Sequence, residues 1–493
     1  MTRLRPWKPL AGLAAVAGVA LAAATAIHPR AQAQAATASA APAAPDLIAR
    51  GRYLTAAGDC QACHTREGAA PFSGGRPLAT PFGTILSANI TPDASGIGGW
   101  TSDQFYRALH SGIDDEGHHL YPAFPYNYYT RMPRADTDAV FAYLKTIAPV
   151  KTSFERNKLP FPFNIRGLMV FWNALFLREG PYMPNSAKSA AWNRGAYLVT
   201  GPGHCGACHT PMNMFGAPKR GHDYQGGKFG LWFAPDLTPN RRTGLGGWSR
   251  PELLEFLKTG RNVHAQASGE MGEVVAYSTS KMSDQDLDAI ATYLADQSSS
   301  PASKAPSADP TVMRQGEAIW VDACSACHRM SGAGVPRFFP PLQHDANLQQ
   351  SDPTTILHMV LGGVRTTPTD KAPTPLSMPS FAWKLNDQQI AAVTTYIRNS
   401  WGNAAAPVSA GDVAKLRKKL SFGAGPAESL RPTPLTHPGP ATFAPTGTDS
   451  RDNGTGQAGR PAQGKAMGGS GSGGSNGGAD KGHPGGVATP GPG

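Results

Sequence analysis

The sequence predicts a mainly α-helical chain built from three similar domains in tandem, with loop-rich pockets, and a disordered C-terminal tail. One cysteine motif occurs three times, and helical patterns of apolar residues recur around each copy. The chain of 493 residues contains 57 glycines and 45 prolines, together about a fifth of it, more than helix and strand interiors tolerate. We therefore expect long loops rather than one large doubly wound sheet or a barrel.

The first 35 residues have the pattern of an export signal. Basic residues begin the chain, an Ala/Leu/Val-rich apolar run covers residues 10–27, and Ala-x-Ala cleavage options occur between residues 31 and 35. We predict a signal peptide over 1–35 and a periplasmic location for the rest of the chain. An uncleaved anchor helix is the alternative, because the run is close to the minimum length of a bilayer span.

All six cysteines lie in three identical C-x-x-C-H motifs. Their members are Cys60, Cys63 and His64; Cys205, Cys208 and His209; and Cys324, Cys327 and His328. This motif attaches c-type haem, because two thiols add to the vinyl groups of one porphyrin and the following histidine becomes the proximal iron ligand. A zinc site would pair two cysteine pairs at short spacing, and a disulfide framework would not place histidine after every pair. The sequence therefore predicts three covalently bound haem c groups.

The first domain is predicted over 46–150. It opens with a helix that carries Tyr53, and the loop 89–93 follows the cysteine motif. An N-cap signal at Ser102 and Asp103 then begins a second helix, and apolar residues at helical spacing predict a closing helix around 140–144. This order is the plan of a small cytochrome c domain with a loop-rich haem pocket. We expect the aromatic residue of each opening helix to pack on the closing helix of its own domain.

The second domain, predicted over 191–296, repeats this order. Tyr197 lies in its opening helix, the loop 236–240 copies the loop 89–93, and Ser249 begins the next helix. An aromatic-rich linker over 151–190 precedes it and is expected either to pack between the first two domains or to dock on a partner or membrane. The aromatic residues singled out there are Phe161, Phe163, Phe171, Trp172 and Phe176.

A polar linker over 297–311 leads to the third domain, predicted over 312–402. This domain opens with a helix carrying Trp320 and closes with an amphipathic helix that includes residues 390–397, but it lacks the loop that the first two domains share. Residues 422–493 are rich in Gly, Pro and Ser and are predicted to be disordered. A G-x-G-x-x-G match at 469–474 has no strand before it and no helix after it, so it does not indicate a dinucleotide site.

Methionine is the expected sixth ligand of an electron-transfer haem, because a thioether raises the reduction potential. Met132 is the candidate in the first domain, Met271 or Met282 in the second, and Met378 in the third. Core filling is the competing role for each of them. His118 or His119 is the alternative ligand in the first domain.

Together these motifs resemble the three-haem cytochrome c subunits of periplasmic, membrane-bound dehydrogenases. The resemblance covers residues 46–420 and depends on segments 51–54, 89–93, 120–126, 192–195, 204–211 and 378–381. Many relatives have methionine where this chain has Phe124, and those with phenylalanine tend to carry a later methionine like Met132. The family's second ligand matches Met271. Many relatives also end in a transmembrane anchor, whereas this chain ends in a Gly-rich tail.

The resemblance implies an electron relay that is not itself catalytic. Electrons would enter from a catalytic subunit with a quinone, flavin or molybdenum cofactor that oxidises an alcohol, aldehyde or sugar. They would pass across three haems to ubiquinone or a terminal oxidase at the membrane surface. The alternative is a multihaem peroxidase with an open first haem, which Phe124 suggests. The net charge of +11 then indicates acidic partners or lipid head groups rather than nucleic acid.

Overall fold

A computed structural model describes residues 44–153, 157–301 and 306–420, and these are largely helical, as predicted. No helix within these ranges is long and apolar enough to cross a membrane. The predicted signal peptide (1–35) and the predicted disordered tail (422–493) lie outside the described residues.

The helices follow the repeats of the sequence, which we name the first, second and third repeat after the cysteine motif that each contains. The first repeat contains α1 (Ala44–Ala57), α2 (Cys60–Cys63), α3 (Ser102–Ser111), α4 (Tyr126–Tyr129) and α5 (Arg134–Leu144), and α6 (Met169–Phe176) follows it. The second contains α7 (Ala190–Thr200), α8 (Gly206–His209), α9 (Arg250–Thr259), α10 (Gly269–Tyr277) and α11 (Asp284–Ala295). The third contains α12 (Pro310–Ala323), α13 (Ser325–His328), α14 (Thr354–Gly362) and α15 (Asp387–Ile397), and α16 (Ala410–Lys419) follows it.

Polar caps set where several of these helices begin. Thr101 starts α3 and Ser249 starts α9, each accepting a hydrogen bond from the backbone three residues on while that residue's side chain returns one. Asn386 starts α15 with the same capping box. Such reciprocal bonds satisfy amide groups that have no partner within a helix. Gly112 and Gly260, both with positive φ, end α3 and α9.

The opening helix of each repeat crosses its closing helix at a glycine. An added Cβ would lie 1.9 Å from the carbonyl oxygen of Ala139 at Gly51 and 1.9 Å from that of Ala289 at Gly195. At Gly316 it would lie 2.3 Å from the carbonyl oxygen of Ala392. Only glycine lets the two backbones approach so closely, and the three crossings therefore place the repeats in one common register.

Each of the first two repeats joins its opening and closing helices with an ion pair. Arg50 Nε donates to Asp136 at 2.7 Å, and Arg194 Nε donates to Asp286 at 2.8 Å. Both carboxylates lie three residues before the alanine that faces the crossing glycine. The two repeats thus use the same pair at the same place.

The tyrosines of these opening helices bond across to the other repeat. Tyr53 Oη donates to Asp286 at 2.5 Å, and Tyr197 Oη donates to Asp136. The packing of these rings on the closing helix of their own domain stays a prediction. Their hydroxyl groups bond to the closing helix of the neighbouring repeat, because the carboxylate acceptor that lies within reach belongs to it. The same contact is therefore exchanged in both directions.

The third repeat does not take part in this exchange. The glycine register gives Gln315, Ala318 and Gln389 at the positions of arginine, tyrosine and aspartate. Its opening aromatic residue, Trp320, is buried and faces Tyr396 of its own closing helix with ring centroids 6.3 Å apart, as expected.

Other contacts attach the third repeat to the second. The rings of Trp232 and His358 stack with centroids 3.9 Å apart, and Phe233 N donates to Thr355 Oγ1 at 2.8 Å. An exposed ion pair joins Lys228 to Asp352 at 3.1 Å. This attachment is asymmetric, unlike the exchanged contacts between the first and second repeats.

Three short hairpins interrupt the helices in the described residues. They consist of β1 (Pro77–Thr80) with β2 (Gly83–Leu86), β3 (Gln225–Phe229) with β4 (Trp232–Asp236), and β5 (Val364–Arg365) with β6 (Ser377–Met378), all antiparallel. Their registers pair Pro77 with Leu86, Gln225 with Asp236 and Val364 with Met378. Two of the hairpins follow a cysteine motif and lead into the loops 89–93 and 236–240.

The aromatic-rich segment between the first two repeats is only partly buried. Trp172 of α6 is buried and donates from Nε1 to the carbonyl of Phe215 at 3.0 Å, while Asn173 accepts from Tyr126 Oη at 2.6 Å. Phe161 and Phe171 are exposed. One side of α6 thus packs between the repeats, and the other side faces outward.

Candidate haem centres

One helical turn gathers the two thiols and the imidazole of each cysteine motif. The backbone N–H of His64 donates to the carbonyl of Cys60 at 2.9 Å, and the corresponding bonds of His209 and His328 measure 3.0 and 3.1 Å. All six cysteines are free thiols. The turn therefore presents two sulfur atoms and one ring nitrogen of each motif to a single group.

The Nδ1 atom of each motif histidine is bonded to a backbone carbonyl. The acceptors are Ala88 at 2.7 Å for His64 and Pro235 at 2.7 Å for His209. For His328 the acceptor is Pro340 at 3.2 Å. Because a carbonyl only accepts, Nδ1 must carry the proton, which leaves the lone pair of Nε2 for a metal.

The shared loops explain two of these bonds. Ala88 directly precedes the loop 89–93, and Pro235 directly precedes the loop 236–240. In each loop the first side chain accepts from the threonine N–H two residues on, at 2.9 Å for Asn89 and 2.7 Å for Asp236. The recurrent Thr-Pro loop therefore fixes the carbonyl that orients the proximal histidine.

Burial keeps the three motif histidines and five of the motif cysteines uncharged. It lowers the pKa of His64, His209 and His328, although the hydrogen bond to the carbonyl acts in the opposite direction. Burial also raises the pKa of Cys60 and Cys63 to about 12. The pKa of Cys205 and of Cys324 rises to about 11 for the same reason, and that of Cys208 is raised as well.

These donor sets fit covalently attached haem. A neutral imidazole with a free Nε2 lone pair is the form that binds haem iron, and the second-shell carbonyl holds its orientation. Paired protonated thiols on one turn are the groups that add to vinyl carbons.

The first two motifs lie next to each other. The ring of Tyr129 meets the ring of His204 edge-on at 5.4 Å, and its hydroxyl donates to the carbonyl of Gly58 at 2.9 Å. Gly58 and His204 stand just before the first cysteines of their motifs. Tyr129 thus bridges two candidate haem centres, a relation that no motif in the sequence indicates.

The candidate axial methionines fall into two classes. Met271 on α10 and Met378 on β6 are half-buried. Met132 and Met282 are 2% and 3% exposed and belong to one apolar core that spans the first two repeats. The assignment of Met132, Met271 and Met378 as ligands stays a prediction, and so does the alternative with His118, which is exposed, or His119.

The model of the cytochrome c family matches residues 48–148 and 313–401. The chain is 40% identical over 395 residues to the gluconate 2-dehydrogenase cytochrome c subunit of Pantoea cypripedii, covering 76% of this chain and 90% of that protein. It is 38% identical over 393 residues to the cytochrome c subunit of the quinone alcohol dehydrogenase of Gluconobacter oxydans, covering 75% and 82%. It is 36% identical over 400 residues to the fructose dehydrogenase cytochrome subunit of Gluconobacter japonicus, again covering 75% and 82%.

Proposed function

The chain belongs to the family of cytochrome c subunits of bacterial dehydrogenases, and from this premise we propose that it is a three-haem electron relay. It is an electron-transfer subunit with covalently bound haem c rather than a catalytic subunit. The relatives, which are subunits of dehydrogenases, do not favour the peroxidase alternative. The observation that carries the proposal is the same histidine arrangement in three motifs, each with Nδ1 bonded to a backbone carbonyl.

The six cysteines hold the haems in this proposal. Each S–H adds across one vinyl double bond, so that sulfur takes one carbon and hydrogen the other, and the addition consumes no oxidant. Haem supplies reversible one-electron chemistry when bound. The chain supplies the proximal ligands His64, His209 and His328, their fixed ring orientation, and surroundings that keep the imidazoles neutral. Met271 and Met378 are the proposed sixth ligands of the second and third haems.

The proposed location is the periplasmic face of the inner membrane. The partner is a catalytic dehydrogenase subunit with a quinone, flavin or molybdenum cofactor, and the acceptor is ubiquinone or a terminal oxidase. The relatives named above act with gluconate, alcohol and fructose dehydrogenases, which supports an alcohol, aldehyde or sugar as the substrate of that partner.

The outward side of the segment around α6 is the proposed membrane contact. Phe171 and Leu175 are 67% and 60% exposed, and Phe161 and Phe163 are exposed nearby. Phe176 lies 5.9 Å from the ring of Phe215, so the patch continues onto the second repeat. We name these residues, together with Met214, the apolar patch.

Basic side chains border the apolar patch. Arg220 Nη2 donates to the carbonyl of Leu175 at 3.4 Å, and Lys158, Arg178 and Lys219 are exposed close to the patch in sequence, where they outnumber the exposed Glu179. Aromatic and aliphatic side chains with a basic border suit an anionic lipid surface, where apolar groups enter the interface and cations meet the head groups. This charge pattern suits an anionic surface and disfavours a basic or neutral protein partner, and we propose an anionic bilayer as the occupant.

Haem counting tests the relay. We expect three haems per chain by the pyridine haemochrome assay, and two after Cys60→Ala with Cys63→Ala, or after the same double change at either other motif. In the complex with its catalytic subunit, adding gluconate, ethanol or fructose in turn should reduce the haems with one of them. A wild-type count of two haems, or reduction by none of a broader panel of alcohols, aldehydes and sugars, would contradict the proposal.

A further inference from the structure

The first and second repeats place one pair of loops in matching register. Helices α3 and α9 end at Gly112 and Gly260, whose φ angles are 64° and 77°. The chain then returns to the same glycine, because Leu120 N donates to Gly112 O and Ala267 N donates to Gly260 O, both at 2.7 Å. Leu120 and Ala267 are therefore equivalent positions.

Four residues beyond each of these positions stand Phe124 and Met271. Both are half-buried and pack against the core of the first two repeats. Phe124 faces the ring of Tyr129 at 5.3 Å. Since a phenyl ring offers iron no lone pair, Phe124 cannot replace a ligand at the place where the second repeat has a thioether.

Met132 and Met282 are equivalent to each other. Met132 directly precedes Pro133, the residue before α5, and Met282 directly precedes Ser283, the cap of α11. Each backbone N–H donates to the carbonyl three residues earlier, at 2.8 and 3.1 Å. Both side chains are almost completely enclosed by protein.

The third repeat has Leu385 at this position. Leu385 directly precedes the cap Asn386 of α15 and is 6% exposed. A leucine side chain cannot coordinate iron, so this position serves the core in the third repeat. The matched placement and burial of Met132 and Met282 indicate the same core role in the other two.

We propose that the first haem has no thioether ligand, because Phe124 takes the place of Met271 and Met132 is a core residue. His64 would hold its iron on one side. Because His118 is exposed and His119 Nδ1 lies 3.4 Å from Asn173 Nδ2, we assign no histidine to the other side, which would accept small exogenous ligands such as carbon monoxide or cyanide. This inference rests on the proposed attachment of haem at Cys60 and Cys63. It changes the assignment of the sixth ligand and leaves the relay itself intact.

The potential of the first haem follows from this assignment. Methionine ligation raises the potential of a haem relative to ligation without sulfur. The first haem should therefore rise in potential when Phe124 is replaced by methionine. A low potential at one end of the chain would favour that haem as an early carrier of electrons from the catalytic subunit.

Four variants of the haem-loaded, full-length protein test the inference. Phe124→Met should add a thioether charge-transfer band in the red region of the ferric spectrum, raise one midpoint potential and abolish carbon monoxide binding. Met132→Leu should change none of these, and its matched control Met282→Leu should behave likewise. Met271→Leu, as the positive control, should weaken the band and double carbon monoxide binding from one haem to two per chain.

Loss of the red band together with new carbon monoxide binding in Met132→Leu would overturn the inference. A wild-type protein that binds no carbon monoxide, with an unchanged spectrum in Phe124→Met, would overturn it independently of whether Met132→Leu folds. Haem counts are taken on the same samples. A wild-type count below three would refute the proposed relay, whereas three haems with a Met132-dependent band would refute only this inference.

Discussion

At each helix crossing, one hydrogen atom of a glycine occupies a place that a methyl group could not share with a carbonyl oxygen. A Cβ added at Gly51 or Gly195 would lie 1.9 Å from a carbonyl oxygen of the facing helix, far inside van der Waals contact. Both of these oxygen atoms belong to the backbone. A rotamer change cannot relieve such an overlap. The two helices would have to move apart.

We therefore expect Gly195→Ala to destabilise the protein. Alanine within a helix gains about 1 kcal/mol over glycine from propensity, while forced overpacking costs roughly 1–3 kcal/mol, and more where backbone must shift. The net loss should be visible in denaturant unfolding of the haem-loaded protein. Gly247→Ala is the control, because an added Cβ there meets no described atom within 4 Å. Equal stability of the two variants would contradict the expected overlap.

Asp286 links stability to pH. Burial acts to raise the pKa of this carboxyl, but the hydrogen bonds from Arg194 and Tyr53 outweigh burial and hold the pKa below its ordinary value. A depressed carboxyl pKa stabilises the fold above the unfolded pKa of about 3.9, and that contribution is lost as pH falls through the folded pKa.

Asp286→Asn should therefore lower stability at neutral pH and flatten the acid limb of the stability profile. The measurement is the unfolding free energy from neutral to acidic pH. Asp288→Asn on the same helix is the control, since its ion pair with Arg250 is exposed and such pairs contribute little. If the unfolding free energy falls equally with decreasing pH in Asp286→Asn and in wild type, this carboxyl does not cause the pH dependence.

At the scale of elements, periodicity predicted the closing helices, and the cap residue Ser249 predicted the start of α9. Helix α3 was predicted with its cap at Ser102 and Asp103, but Thr101, one residue earlier, is its cap. Periodicity could not predict which repeat would accept the hydrogen bonds from Tyr53 and Tyr197. A helical pattern shows which face of a helix is buried, but not which element packs on that face. The acceptor Asp286 lies 233 residues from Tyr53. Only the packed structure brings them together.

Helix α16 received no prediction, although the sequence carries its signals. Ser409 caps it, Asp412 lies in its first turn, and Arg417, Lys418 and Lys419 lie in its last. Arg417 then bonds to the carbonyl of Leu385 at 2.8 Å. The short hairpins had no comparable signal, because their strands are too short to show an alternating pattern.

The sequence predicted the cysteines and histidines of the haem sites, but not the groups that orient the histidine rings. The motif itself names the cysteines and histidines, but the carbonyl that accepts from His64 lies 24 residues away and that for His209 lies 26 away. The sequence shows that the Thr-Pro loop recurs. Only the structure shows that the residue before each loop supplies the carbonyl bonded to the motif histidine. Loop closure of this kind is not encoded in local propensity.

The exchanged hydrogen bonds should matter measurably. Tyr53→Phe and Tyr197→Phe each remove a donor to a carboxylate, and such bonds to charged groups contribute about 1.5–3 kcal/mol. We expect each variant to lower the unfolding free energy by an amount of this order, as measured in denaturant. Because Arg194 bonds to Asp286 and also lies over the ring of Tyr197, the two sites are coupled, and we expect the losses in the double variant to deviate from a simple sum. A double variant as stable as wild type would show that these two hydrogen bonds do not stabilise the fold.

At the scale of the whole molecule, the apolar patch gives the protein one side suited to a bilayer. Phe171→Glu with Leu175→Glu should reduce co-sedimentation with vesicles rich in phosphatidylglycerol several-fold, while haem content stays the same. Trp172 is not a suitable target, because it is buried and its loss would disturb packing. Phe338→Glu with Trp383→Glu is the matched control, since those side chains are 56% and 58% exposed on the third repeat.

The other occupants of the apolar patch give different results. Unchanged vesicle binding with lost co-purification of the catalytic subunit would assign the patch to that subunit and contradict the membrane contact. Unchanged vesicle binding with a smaller oligomer by light scattering would assign it to a second copy. Binding that is equal on phosphatidylcholine and phosphatidylglycerol vesicles would remove the role of the basic border.

The exchange between Tyr53 and Tyr197 has the form of a twofold homodimer in which each partner gives the same donor and receives at the same acceptor. A chain with a single such repeat would carry both halves and would pair with its own copy. Joining two copies makes the pairing intramolecular, at an effective concentration on the order of millimolar. Dilution then leaves the pair intact. The third repeat, with Gln315, Ala318 and Gln389 in these places, cannot compete for either partner, so the retained residues decide which two of the three repeats pair.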